Sequence, residues 1–213
     1  MKQRVFGTVA AFLAAVLLLT VPCNANSARS AVVLDCVSGR LLLDKKGSEK
    51  SLIASTTKIM TALLVCERCN VLDQMVIPKQ AVGIEGSSMY LKEGERLTLQ
   101  ELLYGLMLSS GNDAAVALAL YCCGSIQEFA NLMNDKARSL GMTGSHFENP
   151  NGLDSPNHYS TARDLAILAS YAMENPIFQK TVSTKTVTVG NRVLRNHNKL
   201  LWLYPEADGV KTG

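Results

Sequence analysis

The sequence has no GxxxxGK-Ser/Thr stretch with which a glycine loop would cradle phosphates. It also has no basic stripe interleaved with aromatics, which make up only 6% of its residues, so nothing in it points to nucleotide or nucleic-acid binding. Metal chemistry is equally unsupported: His146, His158 and His197 form no HExxH, and no second CxxC accompanies Cys66 and Cys69. Internal repeats and long linkers are missing too. What remains is a chain of 213 residues, 47% of them apolar, enough for one domain with a substantial core, divided at most into two lobes.

Residues 1–28, MKQRVFGTVAAFLAAVLLLTVPCNANSA, open with Lys2 and Arg4, run through an apolar stretch to Val21 and close on small residues. This is the pattern of a secretory signal peptide, with cleavage near Ala25 or Ala28, and the apolar run is short for a membrane span. Pro22 sits where lipid attachment to Cys23 would want a small residue. Removing Lys2 and Arg4 lowers the formal charge from +3 to about +1, so the slightly basic balance carries no message about partners.

Of six cysteines, Cys23 leaves with the signal, and Cys36, Cys66, Cys69, Cys122 and Cys123 remain. Five cannot all pair. Cys66 and Cys69 lie three apart on a predicted helix and Cys122 and Cys123 are adjacent, neither a comfortable geometry for a structural bridge, so all read as small hydrophobes. Unpaired thiols in an exported protein fit life without oxygen, a reading that a thiol titration finding all five oxidised would remove.

Ala31 to Asp35 and Leu41 to Leu43, separated by Ser38-Gly39-Arg40, predict a hairpin. From Ala54 to Cys69 apolar residues recur at helical spacing, with Ser55, Thr56 and Thr57 as capping residues. EGSSMYLKEG, residues 85–94, reads as a surface loop. A helix begins at Thr98 and is broken at Ser109-Ser110-Gly111; Asn112-Asp113 caps the next, and another runs from Ile126 to Leu140, stopping at Gly141. Residues 147–157 are turn-rich, 161–174 helical, and strand signals return at Thr184 to Val189. Sheet, helices, sheet is an α+β order in which the helical middle forms its own lobe.

Three short motifs could carry chemistry. Ser55-Thr56-Thr57-Lys58 is S-x-x-K at the start of a helix, where residues three apart share a face. A serine hydroxyl attacks only once a neighbour takes its proton, and an apolar surround together with a helix N-terminus would leave Lys58 partly neutral for that task. Alone, the pattern is no more than a capped helix. Ser110-Gly111-Asn112, alone, is ordinary helix stop and start; functionally it offers a second hydroxyl for proton relay and a carboxamide for a substrate amide. Lys211-Thr212-Gly213 on an edge strand would offer a cation and a hydroxyl for a carboxylate, beside a glycine that lets a substrate backbone lie close.

Together they stand in the order S-x-x-K, S-x-N, K-T-G, with 55 residues from Ser55 to Ser110 and 101 from Ser110 to Lys211. This order resembles that of the serine DD-peptidases and class A β-lactamases. SLIASTTKIMTALL, GSSMYLKEGE, LLYGLMLSSGNDAA, FENPNGLD, YSTARDLA and DGVKTG resemble blocks of the low-molecular-mass penicillin-binding D-alanyl-D-alanine carboxypeptidases, peptidase family S11, over nearly everything after the signal. The resemblance implies a DD-peptidase-like α+β fold, an antiparallel sheet flanked by helices with an all-helical lobe, over residues 29–213. It implies no cofactor and a peptidoglycan stem peptide ending in D-Ala-D-Ala as partner, with β-lactams as inhibitors. Ser55 is then the nucleophile, Lys58 the base, Ser110 and Asn112 the cleft walls, and Lys211, Thr212 and Gly213 the carboxylate-binding strand. Asp154, His158 and Asp164 support the scaffold.

In the family the K-T-G strand is followed by an oxyanion-hole residue, further strands and a closing helix. The resemblance therefore implies a fragment with an open sheet edge, incomplete after K-T-G, poorly stable and weakly active, whose membrane association would depend on sequence beyond Gly213. Export implies the cell envelope, on the outer face of the cytoplasmic membrane or in the periplasm. Two alternatives stay open: a class A-like β-lactamase, for which Glu148 lies 38 residues after Ser110 but without the glutamate-to-asparagine spacing, and a non-catalytic peptide-binding relative.

Overall fold

The computed structural model describes residues 27–213, so the signal-peptide reading falls almost entirely outside the described residues. Their N-terminal hairpin pairs β1 (Ala31–Leu34) antiparallel with β2 (Leu41–Lys45), Ala31 opposite Lys45 and Val33 opposite Leu43. β1 packs against the later helix Ala162–Ala172, whereas Leu41, Leu42 and Leu43 of β2 are exposed.

The predicted helix from Ala54 divides in two: a 3-10 turn, Ala54–Thr57, then α1, Lys58–Arg68. None of its hydroxyls caps it. Thr56 Oγ1 donates to the Ile53 carbonyl and Ser55 faces Lys58, both local contacts, while Thr57 Oγ1 pairs with the distant His158, so the residues read as caps make other bonds instead. The loop after α1 leads to β3 (Gln74–Val76), paired antiparallel with β4 (Arg96–Thr98), two strands too short to leave a periodic signal.

α2 (Leu99–Leu108) opens with a capping box between Thr98 and Glu101. α3 (Asn112–Cys123) follows, then α4 (Ile126–Ser139). In α3 the small Ala114, Ala115, Ala117 and Ala119 are all fully buried, which lets the helix pack closely among α1, α2 and α4. α1 supplies Met60, Leu63 and Leu64 to the same core, and α2 supplies Leu102, Leu103 and Leu106. At ~25 cal/mol per Å2 of buried apolar area, each such side chain contributes about 1.5–3 kcal/mol.

α5 (Ala162–Ala172), capped by Thr161, and α6 (Pro176–Ser183), capped by Asn175 with proline at its first position, precede the hairpin of β5 (Thr186–Val189) and β6 (Arg192–Arg195). A short α7 (Leu200–Leu203) follows. Lys211 to Gly213, expected on an edge strand, form none: among the described residues no strand pairs with them, and extended backbone becomes a strand only through such a ladder. Among the described residues no single helix is long and apolar enough to cross a membrane.

Candidate active site

The turn Ala54–Thr57 places Ser55, half-buried, directly before α1, and Lys58 is the first residue of that helix. Lys58 is 0% exposed. Its Nζ donates to Ser55 Oγ at 3.0 Å, to Asn112 Oδ1 at 2.7 Å and to the Asn151 carbonyl at 2.5 Å, so all three ammonium protons have acceptors. Burial, and then the neighbouring positive charge of Lys211, push its pKa down from 10.5 to about 7, opposed by the Asp113 carboxylate. Near neutral pH about half of the lysine therefore carries the lone pair that a base requires.

Ser110 Oγ donates to Ser55 Oγ at 2.8 Å. Its position comes from the break between α2 and α3, where the sequence suggested that Gly111 would end the helix. The left-handed residue is Ser110 itself, with φ 60°, while Gly111 has φ −60°. A non-glycine residue in that region costs of order 1 kcal/mol or more and is sustained by its surroundings. Gly111 is needed for another reason: a Cβ there would lie 3.2 Å from the Gly105 carbonyl oxygen, which accepts the Gly111 N–H at 3.0 Å.

Asn112 is not a cap either. It is the first residue of α3, and its side chain accepts from Lys58 and donates from Nδ2 to the Glu85 carbonyl at 2.6 Å. Asp113 beside it accepts from Ser88 Oγ (2.6 Å), Met89 N–H (3.1 Å) and Leu91 N–H (3.0 Å). The segment 85–94 is the surface loop its composition suggested, pinned at two points: Met89 and Leu91 enter the core while Tyr90 stays 80% exposed. Gly86 passes so close to Asn112 that a Cβ would meet Nδ2 at 2.7 Å.

The turn-rich segment 147–157 closes the other side. Thr61 Oγ1 donates to the Pro150 carbonyl at 2.6 Å, Asn151 presents its carbonyl to Lys58, and Gly152, with φ +88°, runs against the Ala54 backbone. His158 sits 2.8 Å from Thr57 Oγ1, and its Nδ1 accepts the Glu148 N–H at 3.1 Å. Accepting at Nδ1 leaves the proton on Nε2, which donates to Thr57; burial holds the ring below the ordinary histidine pKa and keeps it neutral. Asp164, the other supporting residue, accepts from Gly144 N–H and Ser145 Oγ away from Ser55, while Asp154 is exposed. Glu148, the residue of the β-lactamase alternative, turns its carboxylate to the Ser155 hydroxyl.

Lys211, Thr212 and Gly213 come to the same place without forming a strand. Lys211 is near enough to Lys58 to depress its pKa, and its own is pushed down to about 8 by burial. A Cβ on Gly213 would stand 3.4 Å from Thr56 Cγ2 and 3.5 Å from the Ile53 carbonyl oxygen. The segment is anchored by Asn198 Nδ2, which donates to the Gly209 carbonyl at 2.7 Å. Asn196 Nδ2 in turn donates to the Val182 and Thr184 carbonyls, and the His197 N–H to the Leu108 carbonyl just before the Ser110 break. Asn151, Asn196 and Asn198 carry no periodic or motif signal in the sequence, and only their burial in the fold marks them.

All seven residues singled out by the motifs thus converge at one end of α1. The family model described as D-alanyl-D-alanine carboxypeptidase matches residues 19–213. The chain is 38% identical over 199 residues to the D-alanyl-D-alanine carboxypeptidase DacF of Bacillus subtilis, covering 89% of this chain and 51% of the relative. It is 35% identical over 207 residues to DacC of Escherichia coli, covering 91% and 52%. Penicillin binding protein 6B from Escherichia coli superposes with a TM-score of 0.82 at 35% identity over 86% of this chain and 62% of that one. A variant of a Streptomyces DD-transpeptidase gives 0.83 at 35% identity over 87% and 80%. The chain spans about half the length of the curated relatives DacF and DacC.

Proposed function

The chain belongs to the D-alanyl-D-alanine carboxypeptidase family, and from that premise we propose that it is a serine D-Ala-D-Ala carboxypeptidase working through an acyl-enzyme on Ser55. The substrate is a peptidoglycan stem peptide, and penicillins acylate the same serine. The observation that carries the reading is the buried Lys58 amine 3.0 Å from Ser55 Oγ, with its pKa pushed down to about 7.

In the first step neutral Lys58 takes the Ser55 hydroxyl proton as Oγ attacks the carbonyl between the two D-alanines. The Ser55 N–H, next to the start of α1, donates to the developing oxyanion. The proton passes from Lys58 by way of Ser110 to the amine of the departing D-alanine, and the 2.8 Å contact between Ser110 and Ser55 keeps the Ser110 hydroxyl beside the reacting oxygen. Water then attacks the ester, deprotonated by Lys58, which is neutral again, and Ser55 is released. Asn112 holds the substrate amide, Lys211 and Thr212 receive its terminal carboxylate, and Gly213 leaves room for its backbone. His158 and Gly152 hold the Ser55 turn in place. Residues 1–28 direct export, so the reaction takes place in the cell envelope.

Labelling with a fluorescent penicillin tests this. Ser55→Ala should abolish the label, and D-alanine should be released from a D-Ala-D-Ala peptide by the unsubstituted protein. Sustained penicillin hydrolysis with little D-alanine released would favour a β-lactamase, and absence of both reactions a peptide-binding role.

A further inference from the structure

From Val193 to Lys199 exposure alternates along the chain: Leu194, Asn196 and Asn198 are buried, while Val193, Arg195, His197 and Lys199 are exposed. Those four exposed residues, with Ser109 and Trp202, line a cavity of about 730 Å3. No carboxylate is among the lining side chains. Among the described residues neither Arg195 nor Lys199 has one within ion-pair distance, whereas Arg192 of the same hairpin is paired with Glu95. The Arg195 guanidinium lies over the Trp202 ring, 5.0 Å from its centre, which holds it at the cavity wall. The cavity begins where the two walls of the proposed active site are tied together. The His197 N–H donates to the Leu108 carbonyl, two residues before Ser110, and Asn198 Nδ2 donates to the Gly209 carbonyl, two residues before Lys211. In the proposed reaction the departing residue has its amine at Ser110 and its carboxylate at Lys211 and Thr212, so its side chain stands between those walls. The methyl group of D-alanine would fill little of the space there.

We propose that this cavity is a subsite for the side chain of the departing C-terminal residue, and that it prefers a side chain ending in a carboxylate, as in D-glutamate, to a neutral one of the same size. The inference rests on the peptidase reading and extends it from D-alanine to acidic leaving residues.

The lining supplies what such a side chain needs. Val193 and the Trp202 ring give its methylenes an apolar wall, and Arg195 and Lys199 supply charge opposite its carboxylate, with the His197 ring as a further donor. A cleft lined by one sign of charge also raises the local concentration of an oppositely charged ligand. Because these cations are exposed, each pairing is weak and screened by salt, so the two together favour the acidic side chain about fivefold at low ionic strength. A neutral side chain of equal size gains the apolar wall alone.

Two N-acylated peptides, ending in D-Ala-D-Glu and D-Ala-D-Gln, differ only in that charge. With the full chain, kcat/KM for release of D-glutamate should exceed that for D-glutamine about fivefold at low ionic strength and approach it at about 1 M salt. Arg195→Gln together with Lys199→Gln, shown to be folded by circular dichroism, should remove the preference. The Ser55→Ala protein, which binds without turnover, should show the same preference in affinity by calorimetry. With penicillin labelling of Ser55 intact, equal values for the two peptides, a preference for the amide, or a preference that survives the double substitution would each overturn the inference. Absence of that labelling would overturn the peptidase reading, and the inference with it.

Discussion

Gly152 lies against the carbonyl of Ala54 so closely that a Cβ on it would stand 1.9 Å from that oxygen and 2.9 Å from Thr57 Oγ1. The backbone of the turn that presents Ser55 is therefore shaped by a glycine nearly a hundred residues away in sequence. Gly152→Ala would meet both this contact and a φ of +88°, which L side chains rarely adopt. The expected cost is at least about 2 kcal/mol, and the shifted turn should slow penicillin acylation more than tenfold. Denaturant midpoints and label-incorporation rates measure the two effects, and an alanine variant with unchanged stability would contradict the contact.

In the proposed mechanism the pH dependence of acylation follows from two lysines. Lys58 must be neutral to accept a proton, so the rate should rise with pH through about 7. Lys211 must be charged to hold the carboxylate, so the rate should fall again above about 8, giving a narrow bell. Stability shifts with the same titration. Folded Lys58 loses its proton near 7 while the unfolded chain keeps it to about 10.5, so between those values the unfolded state binds more protons and stability climbs with pH. Urea midpoints at successive pH values check the sign; a midpoint that falls across that window would refute it.

Asp113 holds Ser88, Met89 and Leu91 from one buried carboxylate. Asp113→Ala leaves three buried backbone N–H groups, those of Met89, Leu91 and Ala114, without this acceptor, at a cost of about 2–4 kcal/mol. Residues 86–91 should then exchange their amide hydrogens faster while α2 keeps its protection. Equal exchange in both proteins would show that the loop does not depend on this carboxylate.

Asn198→Ala removes the bond from Nδ2 to the Gly209 carbonyl, and with it the acceptor of the Leu200 N–H. A stability loss of about 1–3 kcal/mol is expected. Loosening of residues 209–213 should raise KM for a D-Ala-D-Ala peptide more than it lowers kcat if, as proposed, Lys211 and Thr212 bind rather than react. A purely kcat effect would argue for a different role.

The long helices were legible because apolar residues at helical spacing mark a buried face whatever lies beyond it. The helices from Thr98, Asn112, Ile126 and Thr161 were located to within a residue or two. β3, β4 and β6 were not, since strands of three or four residues hold too few alternations to separate from loop. α6 was missed although Asn175 and Pro176 mark its start. Residues 85–94 were legible as a surface loop, but not the anchoring of Met89 and Leu91, because local polarity says nothing of a buried acceptor such as Asp113 supplied from a distant helix.

By itself the sequence determined which groups are available and on which local frame: a hydroxyl and an amine three residues apart at a helix start, a serine and an asparagine at a break, a lysine and a threonine at the end. Helical spacing also made α1 and α3 core helices. Only the tertiary structure decided that these groups meet, that Lys58 is buried among three acceptors, and that its pKa therefore falls to about 7. The physical reason is that desolvation and hydrogen bonding depend on what packs around a group in space. For Lys58 those neighbours are Asn112, Asn151 and Lys211, 54, 93 and 153 residues further along the chain.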